Sequence, residues 1–264
     1  MSSNDSFVHK IADVFRAASG KTGKKYFTSA IILAAGSSTR MGGESKQFIE
    51  LCGLPVVART VCTFDKSDCI DELIIVCKKE ELELYSDFAE KYCIQKPLKV
   101  IEGGSTRQES ARNGVDVVSD KSKFVAIHDA ARCLITDEMI SKVCHGAYLH
   151  GGAILAVKAI DTVKIADKNA FIDNTPERKF AWQAQTPQVF KTNAFRAATY
   201  VARDENFEGT DDASLLEHIR IPVKLIEGNR ENLKVTEPID IAIAQAILKH
   251  RSNKSQLKTD EESK

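Results

Sequence analysis

The chain has 264 residues, of which 37 are Lys or Arg and 37 are Asp or Glu, so its formal net charge is zero. Its length suits one large α/β domain or two small ones, and its balanced charge argues against sequence-independent nucleic-acid binding, which needs a basic surface. The seven cysteines include no Cys-x-x-Cys pair, and no apolar run approaches the ~20 residues of a membrane span. We therefore expect a cytoplasmic protein that binds neither nucleic acid nor membrane.

Residues 1–28 precede the first predicted strand and form an N-terminal extension of unassigned role. Five apolar residues there fall at a spacing that favours a short amphipathic helix: Phe7, Ile11, Val14, Phe15 and Ala18. Acidic residues interrupt any signal-peptide core, so we expect no secretion. We expect one domain over 29–251, followed by a disordered tail at 252–264, because that end of the chain is polar and mixed in charge.

Strand and helix patterns alternate through this domain. The predicted strands are 30–35, 72–77, 99–102, 124–128, 152–157 and 223–227. The predicted helices are 55–64, 79–92, 106–118, 137–150, 192–203, 211–218 and 238–249. This alternation predicts a doubly wound, mostly parallel α/β sheet with helices on both faces. Ligands bind such sheets beyond the carboxyl ends of the strands.

The loop after the first strand belongs to the stretch AIILAAGSSTRMGGESK, residues 30–46. Small residues at 36–39 let backbone N–H groups approach a phosphate chain, and Arg40 and Lys46 can neutralise that chain. The pattern is typical of a nucleoside triphosphate site, although an ordinary strand-to-loop junction with exposed charges is the alternative. The loop lacks both the G-x-G-x-x-G fingerprint and the Walker G-K-[ST] sequence, which argues against a dehydrogenase and a P-loop enzyme.

A second Gly-rich loop follows the third predicted strand, in GGSTRQESARNG at 103–114. Ser105 or Thr106 can cap the helix that begins there, and free backbone N–H groups at its start suit an anion or a base edge. Ser110 lies one turn further into the helix. A plain helix cap without a ligand is the alternative.

The sequence HDAAR at 128–132 ends the fourth predicted strand. A lone carboxylate in this position can hold Mg²⁺, which usually takes one or two carboxylates together with phosphate oxygens and water. Asp129 is therefore the metal candidate, and Arg132 either orients it or meets a phosphate. The alternative is a buried Asp–Arg pair that shapes the loop. We expect His128 to be a packing residue.

The stretch 158–181 breaks the alternation of strands and helices. It contains strand patterns at 162–165 and 170–173 around a turn at 167–169, which predicts a β-hairpin. A hairpin has no place in the helix layer of a doubly wound sheet. We expect an arm that projects and packs on a second copy of the chain; a hairpin folded over its own domain is the alternative.

Three later segments add polar groups: QTPQ at 185–188, GTDDAS at 209–214 and NLKVT at 232–236. In these segments Thr186 precedes a Pro-fixed turn, Thr210 is a predicted helix cap, and Lys234 precedes the last helix. Together with Arg178 of the arm they form a second cationic set, separate from the first loop. Two such sets suit two phosphate-bearing substrates. No arrangement for a covalent nucleophile and no zinc spacing is present.

Taken in order, the motifs LAAGSSTRM, GGSTRQES, HDAAR, DTVK, Arg178, QTPQ, GTDDAS and NLKVT resemble those of the 2-C-methyl-D-erythritol 4-phosphate cytidylyltransferase family, over roughly 29–248. The resemblance implies a Rossmann-like, nucleotide-diphospho-sugar transferase-like fold with a projecting arm. It implies transfer of CMP from CTP to methylerythritol phosphate, giving 4-diphosphocytidyl-2-C-methyl-D-erythritol and pyrophosphate in the non-mevalonate isoprenoid pathway. It also implies Mg²⁺ or another divalent cation, and a homodimer in which the arm reaches the partner's site.

The resemblance also implies residue roles. Arg40 and Lys46 would contact the CTP phosphates and stabilise charge at the α-phosphorus. The nucleotide pocket would be lined by Ala34, Ala35, Gly36, Gly104, Ser105, Ser110, Asp129 and Arg132, with Asp129 also helping to hold the metal. Arg178 and Lys234 would hold the methylerythritol phosphate for attack. Three threonines would complete that second pocket: Thr162, Thr186 and Thr210.

The chain departs from the family pattern at Cys133, where the family usually has Pro. Two alternatives remain: a cytidylyltransferase for another polyol phosphate such as ribitol 5-phosphate, and a non-catalytic nucleotide-binding regulator on the same fold. The ribitol relatives typically read LAGG and HD-x-VRP, so LAAG and HDAAR favour methylerythritol phosphate. The complete set of expected charged residues disfavours the regulator.

Overall fold

The computed structural model describes residues 26–36 and 46–262, and the side chains of 26–36 and 47–254. The strands are β1 Thr28–Leu33, β2 Glu50–Leu51, β3 Leu54–Pro55, β4 Glu72–Cys77, β5 Leu98–Glu102, β6 Phe124–Asp129, β7 Gly152–Lys158, β8 Ile165–Ala166, β9 Ile172–Asn174, β10 Trp182–Lys191 and β11 Lys224–Glu227. The α-helices are α1 Val56–Lys66, α2 Phe88–Lys91, α3 Arg107–Asp116, α4 Asp137–His150, α5 Thr192–Asp204, α6 Asp212–His218 and α7 Pro238–Glu262. Short 3-10 helices span Lys46–Phe48, Lys79–Tyr85 and Arg178–Phe180.

A seven-stranded sheet forms the centre of the molecule, with strand order β11-β7-β10-β6-β1-β4-β5. In this sheet β10 runs antiparallel to β6 and β7, and the other pairings are parallel. The apolar residues of β1 are buried on both faces: Ala30 and Ile32 pack in the core cluster that contains residues of α1 and α4, whereas Ile31 packs with residues of α3, α5 and α6. The predicted doubly wound, mostly parallel α/β fold is therefore confirmed.

The long strand β10 is not predicted from the sequence. The polar segment QTPQ lies inside it, at a shift in register between Ala184 and Gln188. An irregularity of this kind tolerates Pro187, which has no N–H group for the ladder. The expectation of a Pro-fixed turn at Thr186 is therefore wrong: Thr186 lies at a bulge inside a strand, where it is joined to Pro187 by a cis peptide bond.

The single helix predicted over 79–92 is also wrong. The chain instead forms the 3-10 helix Lys79–Tyr85 and the short helix α2. Ser86 and Asp87 separate the two, and side chains of these types compete for backbone hydrogen bonds that a continuous helix requires. Tyr85 and Phe88 are buried on either side of the break, so tertiary packing holds both pieces in place.

The predicted hairpin is present. Strands β8 and β9 pair antiparallel, and Oδ1 of Asp167 accepts hydrogen bonds of 2.9 Å from the N–H groups of Asn169 and Phe171 at the turn. The hairpin and its flanks carry five exposed large apolar side chains: Ile160, Ile165, Phe171, Ile172 and Phe180.

The last helix continues beyond the predicted end of the domain. The polar composition predicts disorder from Ser252, but α7 remains helical to Glu262. Lys, Gln and Glu residues are good helix formers, so a polar composition is compatible with helix here. Among the described residues, no helix is long and apolar enough to cross a membrane.

Candidate active site

Two Gly-containing loops meet at the carboxyl edge of the sheet. Ala34 continues β1, and its N–H donates to the carbonyl of Val76 in β4 at 2.7 Å. Gly103 follows β5 and donates to the carbonyl of Cys77 at 2.8 Å. A Cβ atom at Gly103 would lie only 2.8 Å from Cβ of Ala35, so the two Gly-containing loops touch and leave no room for a side chain at this position. Gly36, by contrast, is exposed.

The start of α3 is held by side chains of its own first turns. Thr106 is the N-cap and accepts from the N–H of Glu109 at 3.0 Å. The N–H of Gly104 donates to Oγ of Ser110 at 3.0 Å, and the N–H of Ser105 donates to Glu109 Oε2 at 2.7 Å. The expectation of free N–H groups is therefore wrong for these two residues, because a carboxylate and a hydroxyl of the chain already bind them.

Asp129 lies at the end of β6 and is nearly buried. Its Oδ1 accepts from Nε of Arg107 at 3.0 Å, and its Oδ2 accepts from Nζ of Lys234 at 2.8 Å. Burial alone would raise the pKa of this carboxyl group. The two cations outweigh burial and hold the pKa of Asp129 well below its usual range, so the group is a carboxylate at neutral pH.

Arg107 binds a second carboxylate as well. Its Nη1 and Nη2 donate to the two oxygens of Asp212 at 3.0 and 2.8 Å, and Asp212 is only 1% exposed. Neither residue is among the predicted site residues. One signal was available: a cation in the first turn of a helix opposes the helix dipole, so Arg107 at the start of α3 indicates a carboxylate partner.

A hydrogen-bonded chain connects Asp129 to the interior of the sheet. The N–H of Asp129 donates to Oγ1 of Thr186 at 3.1 Å, and Thr186 lies 3.0 Å from Nδ1 of His128. Nε2 of His128 faces the carbonyl of Arg132 at 3.3 Å. Since a carbonyl only accepts, the ring proton belongs on Nε2 and the Thr186 hydroxyl donates to Nδ1. Burial lowers the pKa of His128 to about 3, which fits the predicted packing role.

The backbone N–H of Arg132 donates to the carbonyl of Asp129 at 2.9 Å, but the Arg132 side chain forms no hydrogen bond to the Asp129 carboxylate. Its Nη1 donates to the carbonyl of Asn232 at 2.8 Å, and its Nε atom is buried without a partner. Asn232 in turn donates from Nδ2 to the carbonyl of Thr186 at 3.0 Å. Arg132 and Thr186 thus anchor the segment that contains Lys234. The sequence suggested that Arg132 orients Asp129, but in the structure Arg107 has that role. Cys133, the departure from the family pattern, is buried.

The remaining predicted residues do not join this centre within one chain. Arg178 is exposed on the arm, where its Nη1 donates to the carbonyl of Ile160 at 3.2 Å. Thr162 and Thr210 are exposed. The prediction that Thr210 caps a helix is wrong, because Asp211 is the N-cap of α6 and forms a capping box with Ser214. Arg40 and the side chain of Lys46 lie outside the described residues, as does the predicted helix in the N-terminal extension.

Asp129 is the one predicted metal ligand. Among the described residues, no group of three or more His, Cys, Asp or Glu side chains could hold a metal ion. Mg²⁺ does not require such a group when phosphate oxygens and water complete its coordination. A carboxylate offers about four acceptor positions, and Asp129 uses one on each oxygen. The donor set therefore fits a cation that is bound jointly by one carboxylate and a polyphosphate.

The sequence profile described as IspD: 2-C-methyl-D-erythritol 4-phosphate cytidylyltransferase matches residues 28–250. The chain belongs to this cytidylyltransferase family. A curated relative of that name from Caldanaerobacter subterraneus subsp. tengcongensis is 41% identical over 223 residues, which cover 84% of this chain and 98% of the relative. The chloroplastic family member of Oryza sativa subsp. japonica is 33% identical over 235 residues, covering 89% of this chain and 78% of the rice protein.

A solved structure of the family has the same fold. The crystal structure of 4-diphosphocytidyl-2C-methyl-D-erythritol synthase from Anaerococcus prevotii superposes with a TM-score of 0.77 at 32% identity, covering 85% of this chain and 96% of the crystallised one. The family resemblance read from the motifs is therefore confirmed. The described centre around Asp129 lies within the matched range.

Proposed function

We propose that the chain transfers CMP from CTP to 2-C-methyl-D-erythritol 4-phosphate, giving 4-diphosphocytidyl-2-C-methyl-D-erythritol and pyrophosphate in the non-mevalonate isoprenoid pathway. Family membership supports the reaction class. The observation that carries the assignment is the ionised Asp129 between Arg107 and Lys234, directly beside the Gly-rich loops. A fixed carboxylate among cations suits a metal-bound triphosphate on one side and a second phosphate on the other.

The nucleotide end of the site comprises the loops after β1 and β5. We propose that Arg40 and Lys46 bind the triphosphate and stabilise the charge that develops at the α-phosphorus. The cytidine moiety is bound by six small residues: Ala34, Ala35, Gly36, Gly104, Ser105 and Ser110. Asp129 and Arg132 lie on the nucleotide side, and Asp129 is the ligand for Mg²⁺ or another divalent cation. When bound, the cation neutralises the triphosphate and assists the departure of pyrophosphate.

The acceptor end of the site comprises Lys234 and the residues of the arm. We propose that Lys234 and Arg178 bind the acceptor phosphate, with Thr162, Thr186 and Thr210 completing the pocket. An acceptor oxygen forms the new bond to the α-phosphorus while the bond to the β-phosphate oxygen breaks, and the electron pair leaves with pyrophosphate. The attacking phosphate oxygen is already anionic, so no general base is needed. The residues accelerate the reaction by bringing two anions together and compensating their charge.

We further propose that the enzyme is a homodimer in which the arm, residues 158–181, completes the site of the partner. The exposed apolar side chains of the arm support this arrangement, since contiguous exposed apolar surface marks an interface. The match over residues 28–250 supports one catalytic domain at 29–251 after an N-terminal extension. The seven cysteines are all free, which supports a reducing compartment such as the cytoplasm.

Pyrophosphate release tests the proposed function. Purified protein is mixed with CTP and Mg²⁺, and with either methylerythritol 4-phosphate or ribitol 5-phosphate. We expect turnover with the first acceptor alone. Turnover with ribitol 5-phosphate alone would support the proposed mechanism but show that the acceptor is a different polyol phosphate. Binding of CTP without turnover on either acceptor would favour a nucleotide-binding regulator.

A further inference from the structure

The guanidinium of Arg107 connects two parts of the site that are remote in sequence. Nε donates to Asp129 at the end of β6, while Nη1 and Nη2 donate to Asp212 in the first turn of α6. Asp129 belongs to the nucleotide end of the site. Asp212 lies two residues after Thr210, which belongs to the acceptor end. The planar fork of an arginine satisfies both carboxylates at once, which the single ammonium group of a lysine cannot do.

A second residue of α3 holds the same acceptor segment. Nε2 of Gln108 donates to the carbonyl of Phe207 at 3.0 Å, and its Oε1 accepts from the N–H of Gly209 at 3.0 Å. The segment 207–212, which contains Thr210, is thus hydrogen-bonded to the first turn of α3. That turn is the continuation of the Gly-rich loop at the nucleotide end. The first turn of α3 therefore contacts both ends of the site.

We propose that Arg107 is a positioning residue that holds the nucleotide end and the acceptor end of the site in register. This inference rests on the proposed function, because the two ends are defined by it. Arg107 acts through Asp129 and Asp212 and touches neither reacting phosphate. Its side chain is one-third exposed, whereas the two carboxylates that it joins are buried.

The charges indicate which end depends more on Arg107. Asp129 has a second cationic partner in Lys234, but no other ion pair to Asp212 is found among the described residues. Removal of Arg107 leaves Asp212 buried and uncompensated, which is strongly destabilising. The start of α6 must then rearrange, while Asp129 keeps one partner. Loss of Arg107 should therefore impair use of the acceptor more than binding of CTP.

The test compares Arg107→Gln with Arg196→Gln. Arg196 contacts the other end of α3, where its Nη2 donates to the carbonyl of Val115 at 2.9 Å. The control thus removes an arginine of α5 that contacts the same helix α3 away from the site. We expect Arg107→Gln to raise the acceptor KM about tenfold or more, and to change the calorimetric Kd of CTP less than about threefold, since Asp129 retains one cation. The acceptor KM of Arg107→Lys should lie between that of wild type and that of Arg107→Gln.

A double variant separates positioning from direct phosphate binding. Asp212→Asn removes the buried charge that Arg107→Gln leaves behind, so the double variant should recover part of the acceptor KM. If Arg107 bound a substrate phosphate directly, the double variant would be no better than Arg107→Gln. That result, or an acceptor KM in Arg107→Gln equal to that of Arg196→Gln, would overturn the inference.

Failure of the proposed function gives a different result. If wild-type protein turns over neither acceptor, the link between Arg107 and the start of α6 is measured by amide hydrogen exchange instead. We expect Arg107→Gln to speed exchange in the first turn of α6 and Arg196→Gln to leave it unchanged. Equal exchange in the two variants would refute the positioning role of Arg107.

Discussion

Nζ of Lys234 lies 2.8 Å from Oδ2 of Asp129, so the cation before the last helix is paired with the carboxylate at the end of a central strand. The pair lowers the pKa of Asp129 and keeps the carboxylate ionised while the site awaits its substrates. An acceptor phosphate that binds Lys234 must compete with this carboxylate. Lys234 is more than one-third exposed, so it can turn from one anion to the other without leaving a fully buried position.

Lys234→Met should move the acidic limb of the pH–activity profile to higher pH. Removing this cation lets the pKa of Asp129 rise toward its usual value, so Asp129 is protonated at a higher pH than in wild type. The acceptor KM should also rise about tenfold or more, as expected when one charged contact to a phosphate is lost. Both effects are read from initial rates across pH. Lys224→Met, which replaces an exposed lysine on β11, should change neither the acidic limb nor the acceptor KM. An acidic limb that does not shift in Lys234→Met would show that Lys234 does not control the protonation of Asp129.

His128→Gln should make stability less sensitive to pH. Folded His128 has a pKa of about 3, against an ordinary value of 6.5. Between these values the unfolded chain binds a proton that the folded chain does not, so unfolding free energy falls as pH falls. The slope is at most about 1.4 kcal/mol per pH unit. Urea titrations between about pH 6.5 and 5 should show a shallower slope for the variant, whereas His250→Gln, an exposed histidine on α7, should keep the wild-type slope.

We expect Phe171→Asp to dissociate the proposed dimer into monomers. The side chain is 73% exposed on the arm, and a charge there opposes burial in an apolar interface. Leu149 at the end of α4 is also 73% exposed, and Leu149→Asp should leave the mass unchanged. Light scattering after size-exclusion chromatography measures both. A monomeric wild type, or a dimeric Phe171→Asp variant, would show that the arm does not form the interface.

Two impaired variants should complement each other if the arm acts on the partner's site. Lys46→Ala should mainly lower kcat, because we propose that this lysine stabilises charge in the transition state. Arg178→Ala should mainly raise the acceptor KM. The two variants are unfolded and refolded together in equal amounts, so about half of the dimers that form are mixed. A mixed dimer has one site that combines an intact Lys46 with an intact arm from the partner. About a quarter of all sites should therefore recover. Activity that stays at the sum of the separate variants would show that the arm serves its own chain.

The sequence predicts the strands that are uniformly apolar, because burial on both faces leaves a continuous apolar run such as that of β4. It does not reveal β10, because polar residues in the middle of this strand, such as Thr186 beside Asp129, break the apolar pattern. Asp129 is predicted because a carboxylate at a strand end is visible locally. The position of Arg107 at the start of α3 indicates a carboxylate partner, but Asp212 lies 105 residues away, so no local spacing identifies which carboxylate it is.

A competition in a single reaction tests whether the enzyme selects methylerythritol 4-phosphate over ribitol 5-phosphate. Equal concentrations of methylerythritol 4-phosphate and ribitol 5-phosphate are supplied with CTP and Mg²⁺, and the products are identified by mass spectrometry. The two products differ by one oxygen atom and are readily separated. We predict that the methylerythritol product accumulates in step with pyrophosphate. Accumulation of the ribitol product, or of neither product while CTP binds, would contradict the account.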